Sequence, residues 1–235
     1  MENKKDEFIE MFNQLYEHLK EINDWDTSFY SLLYKGRNND YIIKKYRDEL
    51  DIVREVRNSI VHNNEYYFLP SAPLYSLLEE ILEKVIDSPK IIDFIDDNLM
   101  VIKEDTSIIE TIRDMKKYDY SQIPVVDQEG KYVELLTSNT IIRWMADVNL
   151  DQNGSFIISD AEIKEVLKYA EADEVCEFIS KDSKLDILID KHESIIKAGN
   201  KIDAFLITEN GKKDEILLGI ITSWEIPEIY NKLNI

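Results

Sequence analysis

The C-terminal half of the sequence contains an internal repeat. The segment Asn98–Asp105 is similar to Val175–Asp182, and each is a strand-like apolar run that ends at an aspartate. A helix-like segment follows each copy and opens with Ser107–Glu110 in the first and Ser183–Asp186 in the second. A serine followed three residues later by an acidic residue is the capping box that begins many helices. These matches predict two copies of one strand–helix unit.

Two further strand-like runs complete each copy. Ile123–Gly130 matches Ala204–Gly211, and each is an apolar strand that enters a glycine turn. Val133–Thr137 matches Leu218–Thr222, and each is a strand that leads through a threonine into another helix. Short β-branched runs that alternate with helical segments are typical of α/β architecture. The order of elements in each copy is therefore strand, helix, strand, strand, helix (βαββα).

The first 88 residues have a helical pattern, with Gly36 as their only glycine. Apolar residues recur there at spacings of three to four, which indicates amphipathic helices. Three stripes follow this spacing: Phe8, Ile9, Phe12, Leu15, Tyr16 and Leu19; Tyr46, Leu50, Val53, Val56 and Ile60; and Leu74, Leu77, Leu78, Ile81, Leu82 and Val85. Asn38–Asp40 is a predicted turn or cap before the second stripe. We predict an antiparallel bundle of about four helices.

The pattern changes at Ser88-Pro89, where we place a domain boundary. Residues 1–88 are assigned to the helical bundle, 89–150 to the first repeat, and 151–235 to a linker helix and the second repeat. Residues 147–154 are the predicted linker. The expected fold class is mixed, α+β or α/β, with an N-terminal antiparallel helical bundle followed by two βαββα repeats.

The charge of the chain limits its partners. It has 28 Lys+Arg against 48 Asp+Glu, a net charge of −20, which gives no general attraction for nucleic acid or an anionic membrane. No apolar run approaches the ~20 residues of a membrane span. Cys176 is the only cysteine, and His18 and His192 lack metal-ligand spacing, so we expect no metal site. The N-terminus lacks the apolar core of a signal peptide, and we expect a soluble cytoplasmic protein.

The repeated half resembles a tandem pair of CBS domains over roughly residues 89–233. The resemblance rests on Ser121–Asp127 with its Gly130, and on Gly219–Thr222, in the correct order with a capped helix in each copy. It implies binding of an adenosine-containing ligand such as AMP, ADP, ATP, S-adenosylmethionine or cyclic di-AMP between the repeats. It also implies a regulatory role, with no cofactor required for chemistry.

In the CBS pattern Gly-apolar-apolar-Thr-x-x-Asp, the threonine hydroxyl holds phosphate and the aspartate accepts from the ribose. Here the second repeat has Gly219, Thr222 and Glu225, with glutamate in place of aspartate. The first has Glu134, Thr137 and Thr140, so both the glycine and the acid are replaced. The second site is therefore the more intact of the two. The resemblance assigns as ligand-binding the residues Thr222, Ser223, Glu225, Asp203, Ala204, Thr137, Thr140, Ile123 and Pro124.

The same Thr-x-x-Glu spacing is also an ordinary capping box, which could serve only to begin a helix. On that interpretation the CBS pair is a scaffold that binds another protein and no nucleotide.

The helical half contains Arg57, Asn58 and His62, which resemble the Arg–polar–(four residues)–His motif of the HEPN family. That resemblance implies a metal-independent ribonuclease in which His62 moves protons, Arg57 stabilises phosphate charge and Asn58 orients a partner. On an ideal helix Arg57 and His62 point ~140° apart. They converge only if the helix ends near His62 or if a dimer completes the site. Alternatively, Arg57 pairs with a carboxylate and His62 caps a helix.

The leading hypothesis is an adenine-nucleotide sensor coupled to a helical effector or dimerisation domain, acting as a homodimer. The first alternative is a nucleotide-gated, HEPN-like endoribonuclease that binds RNA through its N-terminal domain. RNA would then contact a local basic patch of Lys44, Lys45, Arg47, Arg54 and Arg57, and Tyr66–Phe68 could stack on bases or simply pack. The second alternative is the scaffold that binds no ligand.

Overall fold

A computed structural model describes residues 2–35, 40–62, 69–96, 98–147, 161–170 and 175–235. The predicted linker beyond Asp147 and the aromatic run Tyr66–Phe68 lie outside these residues. Within them, no helix has both the length and the apolar character that crossing a membrane requires. The chain divides into two compact units, which are described separately below.

The first unit is helical. It contains α1 (Glu2–Asn23), α2 (Phe29–Lys35), α3 (Tyr41–Lys45), α4 (Arg47–His62) and α5 (Ala72–Ile86). The described part of residues 1–88 thus holds five helices where the sequence pattern predicts about four. The short helices α2 and α3 span too few residues to show a periodic stripe. Asp40 caps α3 by accepting a hydrogen bond from the main-chain N–H of Ile43 at 3.1 Å.

The three predicted apolar stripes form the core of this unit. The members that are fully buried are Phe8, Phe12, Leu15, Leu19, Leu50, Val53, Ile60, Leu78, Ile81, Leu82 and Val85. Leu32, Leu33, Ile42 and Ile43 from the two short helices complete the core. Burying a leucine or phenylalanine side chain contributes roughly 1.5–3 kcal/mol, so this core is the main source of the unit's stability.

The first unit also includes Lys184–Ser194 and Glu228–Ile235. These segments hold most of helix α9 (Leu185–Lys197) and helix α10 (Ile226–Leu233). The sequence boundary at residue 88 therefore does not separate the compact units. The reason is a set of contacts made by α9 and α10 with helices α3 and α5, which sequence spacing cannot show.

The second unit contains two three-stranded sheets of the same topology. The first comprises β1 (Ile102–Lys103), β2 (Gln122–Val126) and β3 (Tyr132–Thr137). The second comprises β4 (Cys176–Ser180), β5 (Ala204–Thr208) and β6 (Gly219–Thr222). In each sheet the first pair of strands is parallel and the second pair is antiparallel.

The connections along the chain also match. Helix α6 (Ile108–Tyr118) joins β1 to β2 and α9 joins β4 to β5, while α7 (Ser138–Asp147) follows β3 and α10 follows β6. A short helix, α8 (Ile163–Val166), precedes the second sheet. Each repeat therefore has the order strand, helix, strand, strand, helix that the sequence predicts.

Strand register corrects the sequence alignment of the repeats by one residue. Thr137 pairs with Gln122 and Thr222 pairs with Ala204, so Ala204 corresponds to Gln122 and not to Ile123. The first copy has one more residue between this strand and its glycine, and a register shift between Val125 and Val126 interrupts its hairpin. An alignment anchored on the glycines cannot detect that irregularity.

The two predicted capping boxes differ in outcome. Ser107 precedes α6 and accepts a hydrogen bond from the N–H of Glu110 at 3.3 Å, which is the serine half of the predicted box. The predicted box at Ser183 is wrong, because α9 begins at Leu185 and Lys184 occupies the position before it. Asp186 is buried instead of reaching back to Ser183.

The segment that precedes each repeat along the chain forms its hydrogen bond with the other repeat. Ile163, which precedes the second repeat along the chain, donates its N–H to the carbonyl of Thr106 in the first repeat at 3.0 Å. Ile91, which precedes the first repeat, donates to the carbonyl of Ser183 at 2.9 Å. Both isoleucines are fully buried. This reciprocal pairing ties the two repeats into one unit.

A shared apolar core joins the sheets. Its buried members are Val126, Tyr132, Leu135, Ala204, Leu206 and Leu217. The Tyr132 ring meets the Phe178 ring edge-on at 5.7 Å between centroids, and its hydroxyl donates to the Sγ atom of Cys176 at 3.7 Å. Because residues of both sheets contribute to this core, the two repeats pack against each other through it.

Candidate functional site

The turn between β6 and α10 carries the fuller of the two predicted site motifs. One carboxylate oxygen of Glu225, Oε2, accepts from the Thr222 main-chain N–H at 2.7 Å and from the Thr222 hydroxyl at 2.6 Å. The Thr222 hydroxyl oxygen in turn accepts from the N–H of Trp224 at 3.3 Å. The longer glutamate side chain thus folds back onto the turn. Its other oxygen, Oε1, has no hydrogen-bond partner among the described residues.

The equivalent turn between β3 and α7 has no carboxylate. The hydroxyl oxygens of Thr137 and Thr140 lie 3.0 Å apart, and the N–H of Thr140 donates to the Thr137 hydroxyl at 3.1 Å. Thr140 is completely buried. Its hydroxyl serves as part of a helix cap and is not exposed to an incoming ligand.

The start of β5 lies beside the Thr222 turn. Ala204 pairs directly with Thr222 across the sheet. The carboxylate of Asp203 accepts from the N–H of Val175 at 2.8 Å, so that side chain holds the entrance to β4. Gln122 donates from its side-chain amide to the Asp203 carbonyl at 3.1 Å, which joins the equivalent edges of the two sheets.

The structure thus gathers most of the assigned ligand-binding residues at one edge of the paired sheets. Ser223 and Trp224 are exposed there, and Thr137, Thr222, Glu225 and Asp203 are partly exposed. Gln122 belongs to the same edge and was missed from the sequence, because the one-residue offset placed Ile123 in its position.

Ile123 and Pro124 lie farther along β2. Ile123 is 1% exposed and belongs to the core between its sheet and α6, so its side chain does not face this edge. Pro124 is also buried, and successive strand residues point to opposite faces, which places it on the sheet-to-sheet side. Of the assigned set, these two residues are not part of the exposed edge.

The glycine of the second motif has a steric cause. A Cβ atom on Gly219 would lie 2.8 Å from Cδ1 and 3.2 Å from Cβ of Ile95. The first repeat tolerates Glu134 at the equivalent place, where the carboxylate accepts from the N–H of Leu135 at 3.3 Å. The departure at Glu134 therefore reflects local packing around each strand.

Trp224 is a residue that the sequence motif did not single out. It lies between Thr222 and Glu225 and is 80% exposed, more than any other large apolar side chain among the described residues. A large aromatic ring normally gains much of its stabilising energy from burial. Its exposure beside the turn could not be read from its position in the sequence.

The HEPN-like residues are placed apart. Helix α4 is continuous from Arg47 to His62, the last described residue before position 69. The guanidinium carbon of Arg57 lies 5.3 Å from the centre of the Phe12 ring, a cation–π contact, and its Nη1 atom is 3.4 Å from Oδ1 of Asn58. His62 is exposed. On this continuous helix the side chains of Arg57 and His62 leave the axis about 140° apart, so the described part of one chain does not direct them to a common point.

The partner expected for Arg57 in the alternative interpretation was a carboxylate. Among the described residues none lies within ion-pair distance of Arg57, and its buried Nε atom has no hydrogen-bond partner there. The aromatic ring of Phe12 takes the place of the carboxylate. Arg57 lies four residues after Val53 and so shares the face of the second apolar stripe. Guanidinium stacking on a ring face contributes about 0.5–2 kcal/mol, which accounts for a charge on that face.

The predicted basic patch is largely engaged within the chain. Arg54 donates to Asp51 at 2.8 Å and also pairs with Glu55, while Lys44 binds Asp190 at 2.7 Å. Acidic partners thus neutralise Arg54 and Lys44, whereas Lys45, Arg47 and Arg57 lie over the rings of Tyr46, Tyr34 and Phe12.

Comparison with known proteins supports one part of this architecture directly. The CBS domain family matches residues 91–147, the first repeat with its following helix. This segment is therefore a CBS domain, in a chain of mixed helix and sheet with a helical N-terminal region.

Three solved structures are similar to part of the chain. The CBS domain pair of protein MJ0100, in complex with 5′-methylthioadenosine and S-adenosyl-L-methionine, is 19% identical over 62% of this chain and 98% of that chain, with a TM-score of 0.42. A putative acetoin utilization protein (AcuB) from Vibrio cholerae is 16% identical over 63% and 93%, with a TM-score of 0.46. CBSX2 in complex with AMP is 14% identical over 62% and 98%, with a TM-score of 0.43. No curated protein sequence matches the chain.

Proposed function

We propose that the chain is a regulatory sensor of an adenine nucleotide, and that both repeats are CBS domains with the ligand at the second. The arrangement of Thr222 and Glu225 is the observation that carries this proposal. Their mutual hydrogen bonds place a hydroxyl and a carboxylate at the beginning of α10. The free Oε1 atom of Glu225 can accept from a ribose hydroxyl, as the aspartate does in the CBS pattern.

The beginning of a helix suits the phosphate part of such a ligand. Main-chain N–H groups at a helix N-terminus are free of helical partners and carry partial positive charge. The net charge of −20 repels phosphate from the molecule as a whole, so binding depends on these local donors. Thr222 and Ser223 add hydroxyl donors at the same point.

The exposed indole of Trp224 supplies a surface for the base. A purine ring that stacks on an aromatic side chain gains about 1–3 kcal/mol, and the stacked ring is also removed from water. The turn then contacts all three parts of a nucleotide: phosphate, ribose and base. In the first repeat no carboxylate completes the turn, and Asn139 takes the place of Trp224, so that turn has no aromatic ring for the base. We therefore assign one ligand to each chain.

Isothermal titration calorimetry against AMP, ADP, ATP, S-adenosylmethionine and cyclic di-AMP tests the sensor. We expect saturable heat with at least one of them, at one ligand per chain, and a melting temperature that rises with ligand concentration. An absence of both heat and thermal shift with all five ligands would overturn the sensor and favour the scaffold alternative.

We also propose that the protein is a homodimer and place the contact on α6 and α7. These helices enclose an apolar groove whose lining includes Ile112, Met115, Tyr120, Ile141, Ile142 and Met145. Ile142 is 62% exposed, and Tyr118 and Tyr120 are also exposed. The corresponding face of α9 and α10 carries polar side chains that bind helices of the first unit. The first repeat therefore offers the apolar face for a second copy.

Ile142→Asp is expected to convert the dimer to a monomer, because a charge buried in an apolar contact is not compensated there. Light scattering would show the mass falling from two chains to one. Ile52→Asp is the matched control, since Ile52 is 56% exposed on α4 and does not line this groove. A wild-type mass of one chain, or a dimer that survives Ile142→Asp, would contradict this placement.

A further inference from the structure

Helix α9 carries an acidic stripe that binds helix α3. Asp186, Asp190 and Glu193 are spaced four and three residues apart, so they share one face of the helix. Asp190 accepts from the Nζ atom of Lys44 at 2.7 Å, and Glu193 accepts from the hydroxyl of Tyr41 at 2.8 Å. The stripe therefore joins α9 to the first and fourth residues of α3.

The first carboxylate of this acidic stripe, that of Asp186, is deeply buried. Asp186 is 1% exposed and accepts from the hydroxyl of Ser88 at 3.2 Å. Burial and the neighbouring carboxylate of Asp40 raise the pKa of Asp186, while Lys184 opposes that shift. Lys184 donates to the carbonyl of Val85 at 2.7 Å. A buried polar cluster of this kind holds α9 in one position, because moving the helix would leave buried charged groups without their partners.

Glu193 connects this anchored pair of helices to α10. Its Oε1 atom accepts from Tyr41 at 2.8 Å and from Tyr230 of α10 at 2.9 Å. Burial, with the nearby carboxylate, raises the pKa of both tyrosines, that of Tyr230 to about 12. Both phenols are therefore protonated at neutral pH and donate. A single carboxylate oxygen thus joins α3 to α10.

Helix α10 begins at the candidate nucleotide turn and ends among the helices of the first unit. Ile226 follows Glu225 directly. Beyond the other end, the carbonyl of Asn234 accepts from Lys84 at 2.8 Å, and Ile235 packs against the helical core. At 1.5 Å per residue, a helix of this length spans only about 12 Å. A displacement at its first turn therefore reaches Tyr230 with little loss.

We propose that Glu193 transmits the effect of nucleotide bound at the Thr222–Glu225 turn to the conformation of the helical unit. This inference rests on the proposed function. A ligand that binds Thr222 and Glu225 replaces their mutual hydrogen bonds of 2.6 and 2.7 Å and so releases the first turn of α10. Helix α10 then shifts against α9, which the acidic stripe keeps in place. This shift changes the hydrogen bond between Tyr230 and Glu193. Because Tyr41 donates to the same Oε1 atom of Glu193, the hydrogen bond to α3 changes as well.

Hydrogen–deuterium exchange of the full chain, with and without AMP, tests this transmission through Glu193. In wild type, AMP is expected to change exchange at the amides of α3 and α4. Tyr230→Phe should bind AMP within about twofold of wild type but reduce that change by about tenfold, since a hydrogen bond to a charged acceptor is lost. Tyr75→Phe is the matched control, because Tyr75 also donates to a carboxylate of the same unit, that of Glu7 on α1, at 2.8 Å. It should leave both effects intact.

A second arm needs no ligand. Thr222→Val breaks the hydroxyl bond to Glu225 and should itself change exchange in α3, and adding Tyr230→Phe should remove that change. Failure of wild type to bind AMP or the other four ligands would overturn the proposed function. The ligand-free arm would then be the only test of transmission through Glu193. An undiminished response in α3 when Tyr230→Phe is present, in either arm, would overturn the inference.

Discussion

Thr222→Val is expected to weaken AMP binding by about 10- to 100-fold. The substitution keeps the shape of the side chain but removes a hydroxyl that donates to Glu225 at 2.6 Å and accepts from the N–H of Trp224 at 3.3 Å. In the proposed complex this hydroxyl donates to the phosphate of AMP instead, and a hydrogen bond to a charged group contributes roughly 1.5–3 kcal/mol, which corresponds to that range of affinity. Calorimetry with AMP measures the change.

Thr137→Val is the matched control in the first repeat. Thr137 holds the equivalent position and bonds to Thr140 at 3.0 Å, but no carboxylate completes that turn. We expect its AMP affinity to stay within about twofold of wild type, while both variants lose about 1 kcal/mol of stability from weaker helix caps. If Thr137→Val weakened AMP binding and Thr222→Val did not, the ligand would belong to the first repeat and our assignment would be wrong.

Trp224→Ala is expected to weaken AMP binding by about 5- to 150-fold through loss of base stacking. The sharper result is the contrast with ribose 5-phosphate, which has the sugar and phosphate but no base. Its affinity should be unchanged by Trp224→Ala, because Thr222 and Glu225 remain. Trp224→Phe should recover most of the AMP affinity, since a ring is restored.

Trp25→Phe is the control for this experiment, because Trp25 is an exposed tryptophan of the helical unit. AMP should quench the fluorescence of Trp224, so the signal should survive Trp25→Phe and disappear in Trp224→Ala. Equal losses for AMP and ribose 5-phosphate in Trp224→Ala would mean that the indole supports the turn and does not stack on the base.

Much of the local structure could be predicted from residue spacing. The three apolar stripes of residues 1–88 became the helical core, because an amphipathic helix has a period of 3.6 residues whatever lies opposite it. The repeated strands and the turns at Thr137 and Thr222 were likewise visible, since each depends on a few adjacent residues. The CBS resemblance rested on these short segments, and the family match at residues 91–147 confirms it for the first repeat.

The register between strands was not predictable in the same way. The irregular pairing between Val125 and Val126 shifts the alignment by one residue, and a shift of one turns a side chain to the other face of the sheet. For that reason Ile123 lies in the core, while Gln122 holds the position beside Asp203. The box expected at Ser183 was wrong for a related reason, because the start of α9 is set one residue later.

The sequence alone determined the elements and their order, because hydrophobic period, caps and turns are local properties of the chain. Tertiary structure decided which side chains meet and which face water. The exposure of Trp224, the stacking of Arg57 on Phe12 and the shared oxygen of Glu193 all depend on distant segments. Tyr41 and Glu193 are 152 positions apart, and spacing within either helix says nothing about that separation. Only packing of α9 and α10 against α3 creates their contact, since hydrogen bonds between helices require both backbones to be in place.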